Sequence, residues 1–497
     1  MSKSQTRPSS ERAATGIRGL DRILRGGFPR ERTCLVYGAA GTGKTTLGFQ
    51  FLLEGAQAGE KVLYITLLQN RSEIEDIAES HGWSLDNVNI LELPSEVRDG
   101  EATKQTVFSP ADVELNEAVD AIIAGIKEHK PQRLVLDSVS ELSVLVNSRY
   151  QLRRQVLRLK ELLSATKCTA LFTAGDLEEK LISLKTLVHG VVSLRMYSPP
   201  YGMAQRRLEV LKMRGMNYSS GQHDCRIYTG GLQVFPRLEL EPAVPTRERQ
   251  VVSSGVKGLD SLVGGGLEAG TSCLITGTTG AGKSTVASLY VNSAAEAQNY
   301  SVVFCFDECR ETFLMRSARL EIPIADNIDR GYIDLRQVDV GQMSSGEFMH
   351  AIAGSVEDKG ARVVVIDSLT GYLNAMLHES MVVAQLHELL SYLNSRGVLS
   401  IMTLATHGIY GNDETEIDAS YLADAVLLAR HFEAGGSLRR CISVVKKRYG
   451  GHEKTIREFD LSPGSILVGP PLRNFSGVLS GIPRFEGEGH RLLDREA

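Results

Sequence analysis

Short apolar runs separated by longer amphipathic stretches recur along the chain. Residues 33–37, 61–66, 133–137 and 169–173 are each nearly continuous in apolar side chains. Runs this short predict strands buried on both faces. Between the last two, Leu152, Val156, Leu159, Leu162 and Leu163 return at helical spacing and predict an amphipathic helix. The scheme then repeats: 272–276, 301–306, 362–367, a helix through Leu386, Leu389, Leu390 and Leu393, then 399–403. Buried strands alternating with helices predict an α/β fold with mostly parallel central sheets. Ligands of such sheets bind beyond the carboxyl ends of the strands.

The residues at those ends repeat as well. Gly38-Ala-Ala-Gly41-Thr42-Gly43-Lys44-Thr45-Thr46 and Gly277-Thr-Thr-Gly280-Ala281-Gly282-Lys283-Ser284-Thr285 both fit G-x-x-x-x-G-K-[ST] after an apolar run. A strand, a glycine loop and a helix make a P-loop, whose backbone N–H groups close around phosphate oxygens. Lys44 and Lys283 are placed for the β- and γ-phosphates, and Thr45 and Ser284 for Mg²⁺. Upstream, Thr15-Gly-Ile-Arg-Gly-Leu-Asp21 matches Ser254-Gly-Val-Lys-Gly-Leu-Asp260. The loop lysines and these aspartates are both 239 residues apart, so a whole domain is duplicated. The expected division is a flexible tail (1–12), a first domain (13–240), a proline-containing charged linker (241–250), a second domain (251–470) and a C-terminal tail (471–497). Asp137 and Asp367 each end an apolar strand and are candidates to hold Mg²⁺ or its water.

The copies differ just past the second core strand. The second reads Cys305-Phe-Asp307-Glu308, two adjacent carboxylates at a strand end. One can take a proton from an attacking oxygen while the other holds Mg²⁺ or tunes its neighbour. Counting from the strand, Leu68 and Gln69 stand there in the first copy. Leu68 cannot accept a proton, and Gln69 can orient water but is a poor base. The expectation is one domain that binds and cleaves ATP and one that binds it and cleaves slowly or not at all.

Composition adds boundaries. Hydrophobic residues are 42% and charged residues 23%, with a formal charge of −5. No global basic field invites nucleic acid, and no apolar stretch is long enough to span a bilayer. Seven cysteines without a C-x-x-C pair read as reduced core thiols of a cytoplasmic protein.

With these residues placed, the chain resembles the KaiC family of two-domain RecA-like ATPases and autokinases. The resemblance runs from about Thr15 to about Arg484. It rests on both P-loops, both Asp-Ser strand ends, Asp307-Glu308, Leu211-Lys-Met-Arg-Gly215, Val445-Lys-Lys-Arg448 and Ile456-Arg-Glu-Phe459. It implies two tandem RecA-like P-loop domains, a homohexameric double ring with Mg-ATP between neighbours, and KaiB-like or signalling protein partners. It implies that Lys212 and Arg214, and Lys446 and Arg448, act on the neighbouring subunit's nucleotide, and it places Ser80 near the first-domain nucleotide. The departures are instructive. Paired glutamates of the first ring are replaced by Leu68-Gln69. The Ser-Thr phosphoacceptor pair reads Ser420-Tyr421, and the hydroxyl of Tyr421 lies much farther from the backbone. Ser420 is a candidate phosphosite or an ordinary interface hydroxyl. Three functions follow: an ATPase with serine autokinase activity centred on the second domain, a nucleotide-switched signalling scaffold, and, disfavoured by the charge, a RecA-class recombinase.

Overall fold

The computed structural model describes residues 11–93, 110–144, 149–175, 184–198, 202–238, 250–339, 341–375, 379–406, 420–434, 436–478 and 484–485. Apart from Gln250, the expected linker lies outside them, as does the expected N-terminal tail apart from residues 11 and 12. The chain divides into two units, Met1–Arg237 and Leu238–Ala497.

In the first unit a nine-stranded sheet contains β1 (Thr33–Tyr37), β2 (Val62–Thr66), β3 (Asn89–Glu92), β4 (Arg133–Asp137), β5 (Thr169–Ala174), β6 (Gly190–Tyr197), β7 (Gln205–Met213), β8 (Gln222–Tyr228) and β9 (Gly231–Phe235). Their order is β9-β8-β7-β6-β1-β5-β4-β2-β3. The strands from β3 to β6 are parallel, and β7, β8 and β9 extend the sheet antiparallel. The helices that matter for the site are α1 (Lys44–Gln57), α2 (Arg71–His81), α3 (Pro110–His129) and α4 (Arg149–Ala165).

The second unit repeats this plan with β10 (Ser272–Gly277), β11 (Ser301–Cys305), β12 (Ile333–Gln337), β13 (Val363–Asp367), β14 (Leu399–Ala405), β15 (Ala425–Ala434), β16 (Ser437–Lys447), β17 (Ile456–Ser462) and β18 (Ser465–Pro471). Their order, β12-β11-β13-β14-β10-β15-β16-β17-β18, is the first sheet's read from the other edge. Helices α5 (Lys283–Glu296), α6 (Arg310–Arg319), α7 (Ser345–Glu357) and α8 (Glu379–Ser395) follow in the same places. The α/β class with tandem, mostly parallel sheets is therefore observed. The antiparallel extensions carry no P-loop signature and went unread in the sequence.

Each sheet is buried on both sides, as continuous apolar strands require. Along β2, Leu63 and Ile65 join one core while Val62 and Tyr64 join the other, against α1. In β11 the same alternation sends Val302 and Phe304 one way and Val303 and Cys305 the other. The expected tail beyond 471 begins as structure: Phe475 meets Phe432 edge-on at 5.8 Å, and Val478 is buried beside Cys441. Six of the seven cysteines are buried, and Cys309 is exposed.

One polar group is set deep in the first unit. The Arg133 side chain, at the start of β4, is 2% exposed and pairs with Glu60 at 2.6 Å. It also donates to the carbonyls of Ala14 and Phe51 and lies over the Phe51 ring. Burial by itself raises the Glu60 carboxyl, but hydrogen bonds and charge from Arg133 and Arg30 outweigh it and hold Glu60 below the usual carboxylate range. Leaving the guanidinium unpaired costs about 3–5 kcal/mol. Glu60→Gln is therefore expected to destabilise the first unit by about that much in urea. A carboxyl depressed in the folded state contributes fully above its unfolded value, about 4.3, and loses the contribution as pH falls through the lower native value. The gap between wild type and variant should therefore close in acid.

Candidate active site

Both P-loops sit where a parallel strand hands over to a helix. Gly43 and Gly282, at φ 101° and 95°, turn the chain into α1 and α5. Gly277 has φ 143°, and a Cβ there would lie 1.7 Å from the Ala429 carbonyl oxygen, so only glycine fits. Gly41 and Gly280 are also left-handed, and Gly38 has no room for a Cβ beside the Leu194 carbonyl. The Thr42 hydroxyl donates to the Ala39 carbonyl at 2.8 Å, and Ala281 is fully buried. Thr46 and Thr285 are buried beneath the first helical turn. Lys44 donates to the carbonyls of Gly38 and Ala39, each at 2.8 Å. Lys283 does the same to Gly277 and Thr278, at 2.9 and 2.8 Å. Burial brings the Lys283 ammonium down to about 8, against an opposing pull from Asp367.

The strand-end aspartates meet the P-loop hydroxyls. Thr45 Oγ1 donates to Asp137 at 2.7 Å, and Ser284 Oγ donates to Asp367 at 3.1 Å. Thr173 and Thr403 donate to the same carboxylates from the neighbouring strand. Burial raises the Asp367 carboxyl, with those hydroxyls pulling the other way. Among the described residues no group of three or more His, Cys, Asp or Glu could cage a metal. One hydroxyl beside one carboxylate is the donor set that suits Mg²⁺, which takes its remaining ligands from phosphate and water. Asp137 has a further donor, the Tyr64 hydroxyl at 2.7 Å. Val303 occupies the matching rung of the second sheet.

The sheet register fixes the comparison between the acidic pair and its counterpart. The backbone N–H of Phe306 donates to the Asp367 carbonyl, and that of Leu67 donates to the Asp137 carbonyl. Leu68 and Gln69 thus occupy the positions of Asp307 and Glu308. Leu68 is 56% exposed. The Gln69 backbone is pinned to the Thr66 hydroxyl, and Asn70 then caps α2 in a reciprocal box with Glu73. In the second unit Asp307 accepts from the Ser368 hydroxyl. Arg316 donates to both oxygens of Glu308, from Nε at 3.3 Å and from Nη2 at 3.0 Å. A pocket of about 920 Å³ opens over Lys283, Ser284, Asp307, Glu308, Asp367 and Arg316, with Thr403, Arg319 and Arg440 also on its wall.

Other expected site residues lie elsewhere. Lys212 pairs across from Val191, which lies beside Leu35 in the middle of β1, and the Arg214 N–H meets the His189 carbonyl at the amino end of β1, while the P-loop leaves the carboxyl end. The Lys212 and Arg214 side chains donate to the carbonyls of Lys185 and Thr186. Lys446 stands opposite Val426, again toward the amino end of the P-loop strand. It donates to the carbonyls of Ser420 and Ala423, and Arg448 reaches Tyr421 and Asp424. Ser420 and Tyr421 are therefore grouped with these cations, and Tyr421 is 55% exposed. The Ser80 hydroxyl turns back to the Ile77 carbonyl of its own helix.

Two P-loops facing two strand-end aspartates, with an acidic pair in one unit alone, are matched by one family model. It is that of the KaiC ATPase, and it covers residues 13–239 and 252–473. The chain belongs to the KaiC family. It is 28% identical over 494 residues to the circadian clock oscillator protein KaiC of Thermostichus vulcanus, covering 96% of this chain and 93% of that protein. It is 26% identical to KaiC 1 of Synechocystis, covering 96% and 92%. It is 24% identical to the clock protein KaiC3 of the same organism, covering 96% and 95%. Among the described residues no helix of this KaiC-family ATPase is long and apolar enough to cross a membrane.

Sequence reasoning missed Tyr64, Arg316, Thr173 and Thr403. The threonines had a signal, since each closes the apolar run, 169–173 or 399–403, that follows the aspartate's run in its repeat. Tyr64 reads as one more apolar strand residue, and Arg316 belongs to a helix whose distance to Glu308 no periodicity reveals. Tyr64→Phe is expected to keep the stacking on Phe49 at 4.4 Å while removing one charge-assisted hydrogen bond. Urea unfolding of the first unit should register a loss of about 1.5–3 kcal/mol.

Proposed function

We propose that this protein is a KaiC-like ring ATPase of the cytoplasm that binds Mg-ATP in both units and cleaves it mainly in the second, with autophosphorylation at Ser420 serving signalling. The observation that carries the division of labour is the acidic pair at 307–308 set against Leu68-Gln69 on the same rung of the first sheet. Glu308 takes the proton of the attacking water. Lys283 steadies the β- and γ-phosphate oxygens. When bound, Mg²⁺ neutralises charge on those oxygens, with Ser284 and Asp367 as the residues that hold it and Asp307 beside them. Thr45 and Asp137 play the holding part in the first unit, where Gln69 cannot act as a base.

The placement of Arg214 and Arg448 at the amino ends of their P-loop strands, with Lys212 and Lys446 one step along, supports action in trans. Each pair stands away from its own P-loop and so suits a neighbour's nucleotide, as the homohexamer of the family requires. Ser420 shares that position with Lys446. Transfer would form the Ser420 Oγ–phosphorus bond as the bond from the γ-phosphorus to the bridging oxygen breaks. The hydroxyl proton passes to the neighbour's Glu308. Tyr421, with its longer reach and exposed ring, is the poorer acceptor.

Glu308→Gln is expected to cut ATP hydrolysis by about 10²-fold or more. Lys44→Ala should mainly weaken assembly, read by light scattering, and leave most turnover. Loss of all turnover from Lys44→Ala with assembly intact would reverse the assignment of the two units. Intact-mass and phosphopeptide analysis after incubation with Mg-ATP should find one phosphate, on Ser420. Phosphate on neither Ser420 nor Tyr421 would remove the autokinase reading and leave the ATPase.

A further inference from the structure

Arg316 is the seventh residue of α6, and its guanidinium makes its hydrogen bonds to a single group. Nε donates to one carboxylate oxygen of Glu308 at 3.3 Å, and Nη2 donates to the other at 3.0 Å. The third nitrogen, Nη1, is enclosed and has no hydrogen-bond partner among the described residues. The guanidinium also lies over the Phe313 ring, 4.6 Å from its centroid, and that ring is 1% exposed. Stacking below and a two-pronged contact above fix the fork as a planar clamp, a geometry a lysine cannot supply.

The duplication provides a control within one chain. Helices α2 and α6 both begin two residues after the acidic position or its counterpart, so the seventh residue of α2 is the match of Arg316. It is Ile77. Where the carboxylate is replaced by Gln69, the guanidinium is absent too. The other acid of the pair, Asp307, has its own partner in Ser368 and does not share the clamp.

We propose that Arg316 is a positioning residue for hydrolysis in the second unit, its fork holding the Glu308 carboxylate over the nucleotide pocket in the orientation from which it accepts the water proton. The inference rests on the reading of Glu308 as the base. A carboxylate engaged edge-on by two N–H groups keeps a second lone pair on each oxygen for that water. Unclamped, the side chain regains its rotamers, and misplacement by about 1 Å can cost about 10²-fold in rate.

The test uses the full-length protein with Mg-ATP. Arg316→Gln is expected to lower kcat by about 10-fold or more while KM and the affinity for a fluorescent ATP analogue change by less than about 2-fold. Arg316→Lys, which restores charge without the fork, should fall between that variant and wild type. In a Glu308→Gln background, adding Arg316→Gln should cost less than about 2-fold more, because the group it positions is already gone. Wild-type kcat in Arg316→Gln, a change confined to KM, or losses that multiply in the double variant would each overturn the proposal. Should Arg316→Gln fail to fold, Arg316→Lys decides: full activity there overturns it. If Glu308→Gln itself keeps wild-type hydrolysis, the base assignment falls first. If Glu308→Gln is inactive and Arg316→Gln is not slowed, only the clamp falls.

Discussion

The bond between a P-loop hydroxyl and a strand-end aspartate, Thr45 to Asp137 and Ser284 to Asp367, is the contact on which both units turn. It ties the first residue after the loop lysine to a strand two places away in the sheet. It holds only if the parallel strands keep register, if the glycines let the loop fold over the strand end, and if the helix starts where Gly43 and Gly282 release it. The apolar faces of β1 and β10, buried on both sides, supply that register. The rest of the site is assembled around the fixed pair.

From one scaffold the two units derive different chemistry by a few substitutions. The first unit retains lysine, hydroxyl and aspartate, loses both carboxylates after its second strand, and ties its aspartate to Tyr64. The second retains the carboxylates and surrounds Glu308 with an arginine that the first does not have. Neither change disturbs the strands. The exchanged carboxylates lie just past the carboxyl end of the second strand, where a parallel sheet accepts variation without loss of core, and Tyr64 takes the rung inside that strand that Val303 holds in the other repeat.

Much of this was legible in the residues. The P-loops, the aspartates at 137 and 367 and the acidic pair could be read because each is a short motif beside an apolar run. The equivalence of Leu68-Gln69 with Asp307-Glu308, found by counting, is the one the backbone hydrogen bonds give. What could not be read was cross-strand and cross-helix geometry. Tyr64 looks like core until the pleat is known to send it to the same face as Asp137. Arg316 looks like a solvated helix charge until α6 is laid beside the strand end. The antiparallel strands β7–β9 and β16–β18 were hidden because half-buried strands interrupt the apolar pattern that marks the parallel ones.

The seating of Phe475 and Val478 against Phe432 and Cys441 has a practical bearing. The polypeptide does not come loose where β18 ends, since an aromatic plug a few residues on closes the flank of the β15–β16 hairpin. Trimming before residue 475 would uncork that flank and wet a thiol that is now dry. Reporter groups and affinity handles placed clear of residues 475–478 leave the plug in its socket.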